Sequence, residues 1–268
     1  MKRILAVIFI ILFSIFLYGK FIEVNNFKIK EYTIFNSNIP DTFKDLKIVH
    51  FSDILYEKNK DESELDKIVK EINNLNPDII IFSGDLLKDD QKYTLDDYDF
   101  LKKKLTDLNA NLYKFSVIGD NDELFIDEYK DIMDNSDFVL LNNENFLLFY
   151  KDITPINIVG INSLDNIEDL LNSDIAYNYS LFISHQPDYF PTLSNYNVNT
   201  ILSGHSLGGI INIPFYGGII KKRGAKTYIN DYYKNGNTEI FISNGIGYEN
   251  FDFRLFNTPS INVYRFDN

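Results

Sequence analysis

The sequence predicts an α/β fold in which parallel strands are followed by a second, more antiparallel sheet. Strands and helices alternate through the first half of the chain, and the second half turns strand-rich. Five apolar strands also run out into a polar residue, Asp or His, at a glycine- or serine-bearing turn. Alternating β and α elements pack as a parallel sheet with crossover helices, and later runs of strands build a separate layer.

Phe27 to Phe35 has the partial alternation of an edge strand. Leu46 to Phe51 is a strand ended by Ser52-Asp53. Leu65, Ile68, Val69, Ile72 and Leu75 recur at helical spacing over 62–75, and Asn76-Pro77 stops that helix. Asp78 to Phe82 is a buried strand ending in Ser83-Gly84-Asp85, and a helix over 95–108 follows. Leu112 to Ile118 is a strand ending in Gly119-Asp120-Asn121-Asp122, with another strand at 138–141. Strands at 156–159 and 181–184 flank a short helix at 167–171, the second strand ending at His185. Thr200 to Leu202 is a buried strand that turns at Gly204-His205, and Ile210 to Pro214 reads as the next strand. Residues 215–234 read as loop, and 239–243 and 261–266 close the domain.

The amino terminus is a targeting element. Lys2 and Arg3 precede an apolar run from Ile4 to Tyr18, continued thinly through Phe21 and Ile22. Leu17-Tyr18-Gly19 is a poor signal-peptidase site. Residues 1–22 are therefore expected to be an uncleaved signal anchor, shorter in its core than the ~20 residues of a comfortable span. The basic flank would stay inside, placing residues 23–268 as one domain on the extracytoplasmic side of the cell membrane.

The chain has 268 residues, a net charge of −13 and no cysteine. The charge argues against nucleic acid as a partner. The missing cysteines exclude disulfides, thiolate metal sites and a cysteine nucleophile. A metal site would have to use carboxylates, amides and the three histidines, His50, His185 and His205.

Asp53, Asp85, the Asp120–Asp122 turn, His185 and His205 each follow a strand. The carboxyl ends of strands in an open α/β sheet line one crevice, so residues spread over about 150 positions can converge. Converging carboxylates and imidazoles point to a divalent cation, since unpaired buried carboxylates are costly. His50 lies within its strand and reads as a packed histidine, and Lys221, Lys222, Arg223 and Lys226 read as a solvated basic loop.

These motifs resemble the calcineurin-like metallophosphoesterases, particularly a membrane-anchored or exported bacterial branch. The resemblance covers residues 23–268. It rests on Asp53-Ile54-Leu55, Asn76-Pro77-Asp78-Ile79-Ile80, Gly84-Asp85, Gly119-Asp120-Asn121-Asp122, Ser184-His185-Gln186-Pro187-Asp188, Leu202-Ser203-Gly204-His205-Ser206-Leu207-Gly208-Gly209, and Gly245-Ile246-Gly247 with Arg254. It implies a four-layer α/β/β/α sandwich of two mixed sheets, and hydrolysis of a phosphodiester or pyrophosphate bond at a divalent metal site. The implied metal ligands are Asp53, Asp85, Asp120, His185 and His205. Asp53 is also a catalytic candidate, with Asn121 and Asp122.

Three departures shape the expectation. Leu55 and Leu207 stand where the family has histidines of one metal shell, and Asn121 stands where it has the histidine thought to protonate the leaving group. The resemblance then implies one ion (Mn, Fe or Zn) rather than two, with a phosphorylated small molecule or lipid precursor as substrate. Two functions stay open: a reduced, single-metal phosphoesterase, or an inactive relative that binds metal or a phosphorylated ligand, or scaffolds an envelope complex. General acid catalysis is worth about 10²–10⁴-fold, which sets the scale of the damage at Asn121.

Overall fold

The structure, a computed structural model, describes residues 1–57, 62–165, 167–172, 175–249 and 252–268. Helix α1 (Lys2–Tyr18) leads through a further helical turn, Gly19–Glu23, into the domain. In chain order the domain's strands and helices are β1 (Lys28–Phe35), β2 (Lys47–Phe51), α2 (Glu62–Asn74), β3 (Ile79–Phe82), α3 (Leu95–Thr106), β4 (Tyr113–Ser116), α4 (Ile126–Asp134), β5 (Phe138–Leu140), β6 (Glu144–Leu148), β7 (Ile156–Ile161), α5 (Ile167–Leu171), β8 (Ser180–Ser184), α6 (Phe190–Leu193) and β9 (Thr200–Ser203). A small hairpin, β10 (Asn212–Ile213) and β11 (Gly217–Gly218), precedes β12 (Tyr232–Asn235), β13 (Thr238–Ile242) and β14 (Ser260–Asp267).

Two six-stranded mixed sheets result, in the orders β1-β14-β2-β3-β4-β5 and β12-β13-β9-β8-β7-β6. The carboxyl-terminal strand β14 is inserted parallel to β1 and antiparallel to β2, which mixes the first sheet. The strand period of two divides the side chains between layers. On β3, Ile79 and Ile81 join Ile158, Ile183 and Leu202 of the second sheet in the core between the sheets. Ile80 and Phe82 face the other way, onto Ile68, Ile72, Leu101 and Ile132 of α2, α3 and α4. On the far side Val159, Phe182 and Ile201 pack against Ile167, Phe190 and Leu193. The layers are therefore helix, sheet, sheet and helix, the sandwich that the motifs imply.

The segment from Ile210 to Pro214 is not the continuous strand expected of it. Asn212 and Ile213 pair with Gly218 and Gly217, and Ile211 makes a single bridge to Leu255, because Gly208, Gly209 and Ile210 all have positive φ and turn the chain out of the sheet. Strand β12, within the stretch expected to be loop, is a mostly exposed edge strand whose four residues, Tyr-Tyr-Lys-Asn, carry no apolar alternation.

His50 is fully buried on β2, with Nε2 2.8 Å from Ser83 Oγ and Nδ1 3.3 Å from Tyr264 Oη. Burial pushes its pKa down from 6.5 to about 3. The folded state thus binds fewer protons than the unfolded state between pH 6.5 and 3, and stability falls as pH drops through that window. His50→Gln removes this component. Denaturant unfolding at pH 4–6 should show the wild type losing about 1.4 kcal/mol per pH unit more than the variant. Parallel slopes would mean that His50 titrates normally.

Candidate metal centre

The carboxyl ends of β2, β3, β8 and β9 bring Asp53, Asp85, His185 and His205 together. One ligand atom from each lies within 4.8 Å of the others, and all four residues are buried. The turns that carry them are tight: Asp53, Asp85 and His205 have φ of 51°, 60° and 65°, and Leu55 and Leu207 have 49° and 48°. Left-handed backbone costs a non-glycine residue about 1–2 kcal/mol, so these conformations persist only where neighbouring bonds fix them. Close approach makes two glycines obligatory. A Cβ on Gly119 would meet Asp85 N at 2.2 Å, and one on Gly204 would meet Ser52 Cβ at 2.6 Å.

The second layer of hydrogen bonds sets which atoms face inward. His185 Nδ1 donates to the carbonyl of Ser83 (2.7 Å), leaving Nε2 to the site. His205 Nε2 donates to the carbonyl of Arg223 (2.6 Å), leaving Nδ1, which lies 2.9 Å from His185 Nε2. Backbone carbonyls that hold the remote ring nitrogen are a usual device for orienting imidazole ligands. Asp53 Oδ2 accepts from Ser52 Oγ (2.5 Å) and His205 N (3.0 Å), and Asp85 Oδ1 accepts from Asn121 N (2.9 Å). The remaining oxygens, Asp53 Oδ1 and Asp85 Oδ2, are buried without a hydrogen bond. One unpartnered carboxylate oxygen, a second met only by His185 Nε2 at 3.2 Å, and two oriented imidazole nitrogens form a donor set that suits one divalent cation.

Charge coupling in the site is strong. Burial alone would lower the pKa of His185, but Asp85, with Oδ2 3.2 Å from Nε2, and Asp53 outweigh it and raise it to about 10. His205 is pushed down to about 4, by burial and then by His185 and Lys222. Burial opposes ionisation of Asp85, yet His185 holds it below the usual carboxylate range. Asp53 is raised, first by burial and next, against the pull of His185, by Asp85.

Other sequence-predicted residues lie elsewhere. Asp120 is set apart from the four: its side chain is 40% exposed and 3.9 Å from His205 Nε2, and Gln186 Nε2 donates to both of its oxygens at 2.8 and 2.9 Å. Asp122, expected among the catalytic residues, is fully buried and spends its carboxylate on the backbone. It accepts from the N–H groups of Asp85, Leu86, Leu87 and Gly119 at 2.8–3.2 Å. Asn121 reaches the centre through its backbone N–H. Leu55 and Leu207 are buried, and Leu207 lies against Gly245 beside Asp53. Arg254 is also buried. It donates to the carbonyls of Leu207, Asn244 and Gly247 at 2.6–2.9 Å and ties the 204–209 turn to the 244–247 turn.

Lys222 corrects the reading of its loop as solvated. Its side chain is only 13% exposed, and Nζ lies 2.5 Å from Glu249 Oε1. Burial works against its charge, but Asp85 and then Asp53 act on it more strongly than Glu249 does, and its pKa is raised. The loop is drawn in because Asp188 accepts from the N–H groups of Lys226, Thr227 and Tyr228, and Asp188 N donates to Gly224 O. Beyond the centre opens a cleft of about 370 Å³ lined by Asp120, Asn162, His185, Gln186, Tyr189 and Arg223.

The calcineurin-like phosphoesterase family matches residues 46–209, which span all four site residues. The chain belongs to that family. An uncharacterized metallophosphoesterase of Bacillus subtilis, YkuE, is 30% identical over 253 residues, covering 92% of this chain and 88% of its own length. A Campylobacter jejuni metallophosphoesterase, Cj0846, is 28% identical over 95% of this chain and 67% of its own. The UDP-2,3-diacylglucosamine pyrophosphatase LpxG of Chlamydia muridarum is 25% identical over 63% of this chain and 66% of its own. In this member of the family four buried Asp and His side chains come together, with leucines at 55 and 207.

Proposed function

We propose that this metallophosphoesterase hydrolyses a phosphodiester or pyrophosphate bond using one divalent cation, tethered by residues 1–22 to the outer face of the membrane. The observation that carries the reading is the group of four buried ligand atoms, two of them carboxylate oxygens without a hydrogen bond, opening on a polar cleft. Asp53, Asp85, His185 and His205 would hold the ion. Its chemistry, when bound, is Lewis acidity toward a phosphoryl oxygen and acidification of water.

The chain's own groups do the rest. Arg223 lines the cleft with no ion-pair partner among the described residues, and its planar guanidinium suits two phosphoryl oxygens. Asp53 orients the attacking water. Lys222, held by Glu249, supplies a fixed positive charge that acts on Asp85 and Asp53. A bilayer-borne or small phosphorylated molecule fits this arrangement, and the diacylated substrate in the name of the Chlamydia relative agrees with a lipid precursor.

Asn121 favours the second reading, an inactive binder, because an amide cannot protonate a leaving group. One experiment separates them. The full chain in detergent is stripped with chelator, reloaded with Mn, Fe or Zn, and assayed for metal content and for hydrolysis of bis-p-nitrophenyl phosphate. One ion per chain and a rate that Asp85→Asn abolishes together with the ion support the enzyme. One ion with background hydrolysis in every metal supports the metal binder, and no ion sinks the enzyme and the metal binder alike, leaving only the metal-free ligand binder or scaffold.

A further inference from the structure

We propose that the β10–β11 hairpin, residues 213–220, inserts its tip into the lipid bilayer beside helix α1 and seats the catalytic cleft at the membrane surface. The inference rests on the reading of α1 as a membrane tether.

The hairpin holds its largest side chains in solvent. Phe215 is 111% and Tyr216 81% exposed, and Ile213, Ile219 and Ile220 are exposed as well. No charged residue occurs from 213 to 220, and Lys221 follows, exposed, at the base. A contiguous exposed apolar patch of this kind marks an interaction surface rather than ordinary surface. An aromatic tip over a basic base matches the headgroup boundary, where Phe and Tyr bury their rings and Lys meets lipid phosphate. The chain's net charge of −13 would otherwise oppose an anionic membrane, and the exposed Lys221 supplies local attraction at the base of the hairpin.

The occupant is set by the neighbours. Asn212 N donates to Leu255 O (2.9 Å) and Leu255 N to Ile210 O (3.1 Å), so the base of the hairpin is bonded to the 254–256 segment. That segment carries the end of the tether. Arg254 N donates to Gly19 O (3.3 Å), Phe253 stacks on Phe16 with ring centroids 5.7 Å apart, and Glu23 accepts from Phe256 N and Asn257 N. Tyr18 of α1 and Asn212 of the hairpin line one cleft, together with Phe256, and Phe21, Ile22 and Phe256 are exposed. If α1 lies in a bilayer, this face meets that bilayer first. The same chain continues through Lys221 and Lys222 to Arg223, whose carbonyl holds His205 and whose side chain lines the catalytic cleft. Insertion of the tip would present the cleft to phosphate groups at headgroup depth.

The chain has no tryptophan, so Phe215→Trp makes a single reporter. Full-length Phe215→Trp is reconstituted into phosphatidylcholine–phosphatidylglycerol vesicles with and without brominated acyl chains. Ile153→Trp, at a site away from the hairpin that is 85% exposed, is the comparison. The expected result is a blue-shifted emission for Phe215→Trp that brominated lipid quenches about twofold, with Ile153→Trp red-emitting and unquenched. Tyr216→Trp gives the same readout should the first variant misfold. Vesicle co-flotation with red, unquenched emission from the hairpin indole would overturn the hairpin inference while leaving the tether intact. Blue-shifted emission that brominated lipid does not quench would assign the tip to a second copy or another protein and overturn it as well. Failure to co-float would remove the tether reading, and the hairpin inference with it.

Discussion

Lys222→Met should lower the melting temperature of the metal-stripped protein by about 10 °C, and added divalent cation should close most of that gap. The buried ammonium of Lys222 acts electrostatically on Asp85 and Asp53, both fully buried; Asp53 Oδ1 has no hydrogen bond, and Asp85 Oδ2 has only the His185 contact. Removing one charge from a buried, mutually compensating set costs about 3–5 kcal/mol, and a domain of this size shifts by about 2–4 °C per kcal/mol. A bound cation supplies the missing charge and stabilises by mass action. Glu249→Gln is the control, since it breaks the 2.5 Å ion pair without touching the centre; Glu249 is itself partly exposed, and the loss should be small.

The Lys222 ammonium also sets an order in which a second cation can be accommodated. Leu55→His with Leu207→His restores imidazoles but keeps the ammonium, and should leave the chain with one ion. Adding Lys222→Met should bring the stoichiometry, read by elemental analysis, toward two. Two ions already in the double variant, or an unchanged melting temperature in Lys222→Met, would show that the ammonium does not compensate these carboxylates.

The parts of the centre that the sequence made legible share one property: they sit where secondary structure alone fixes their position. Asp53, Asp85, His185 and His205 follow strands whose apolar runs are unmistakable, and parallel strands deliver their carboxyl ends to one side. Lys222 had no such frame. It belongs to a segment without periodicity, and what buries it is Asp188, far earlier in the chain, gathering three backbone N–H groups. Asp120 follows a strand as well, but Gln186, across the cleft, captures its carboxylate. The insertion of β14 between β1 and β2 depends on pairing at long range, and nothing in its own alternation announces it. Local patterning therefore found which residues arrive at the site, and the long-range hydrogen bonds decide which of them face inward.

Asp122 shows how far those long-range hydrogen bonds can reassign a residue. Four backbone N–H groups converge on its carboxylate, three of them from the turn that begins with Asp85 N and one from Gly119. Burial, and Asp85 nearby, press it toward protonation and raise its pKa to about 7, while those N–H groups favour the ionised form. In Asp122→Asn one oxygen becomes an NH2 that faces donors. Two N–H groups lose their acceptor, at about 1–3 kcal/mol each, so thermal unfolding should come roughly 10 °C lower. Held at a temperature where it is still folded, the variant should keep its ion, because Asp122 braces the turn and contributes no ligand atom to the four. A variant that melts with the wild type and loses only turnover would return Asp122 to the catalytic role that its place in the motif suggests.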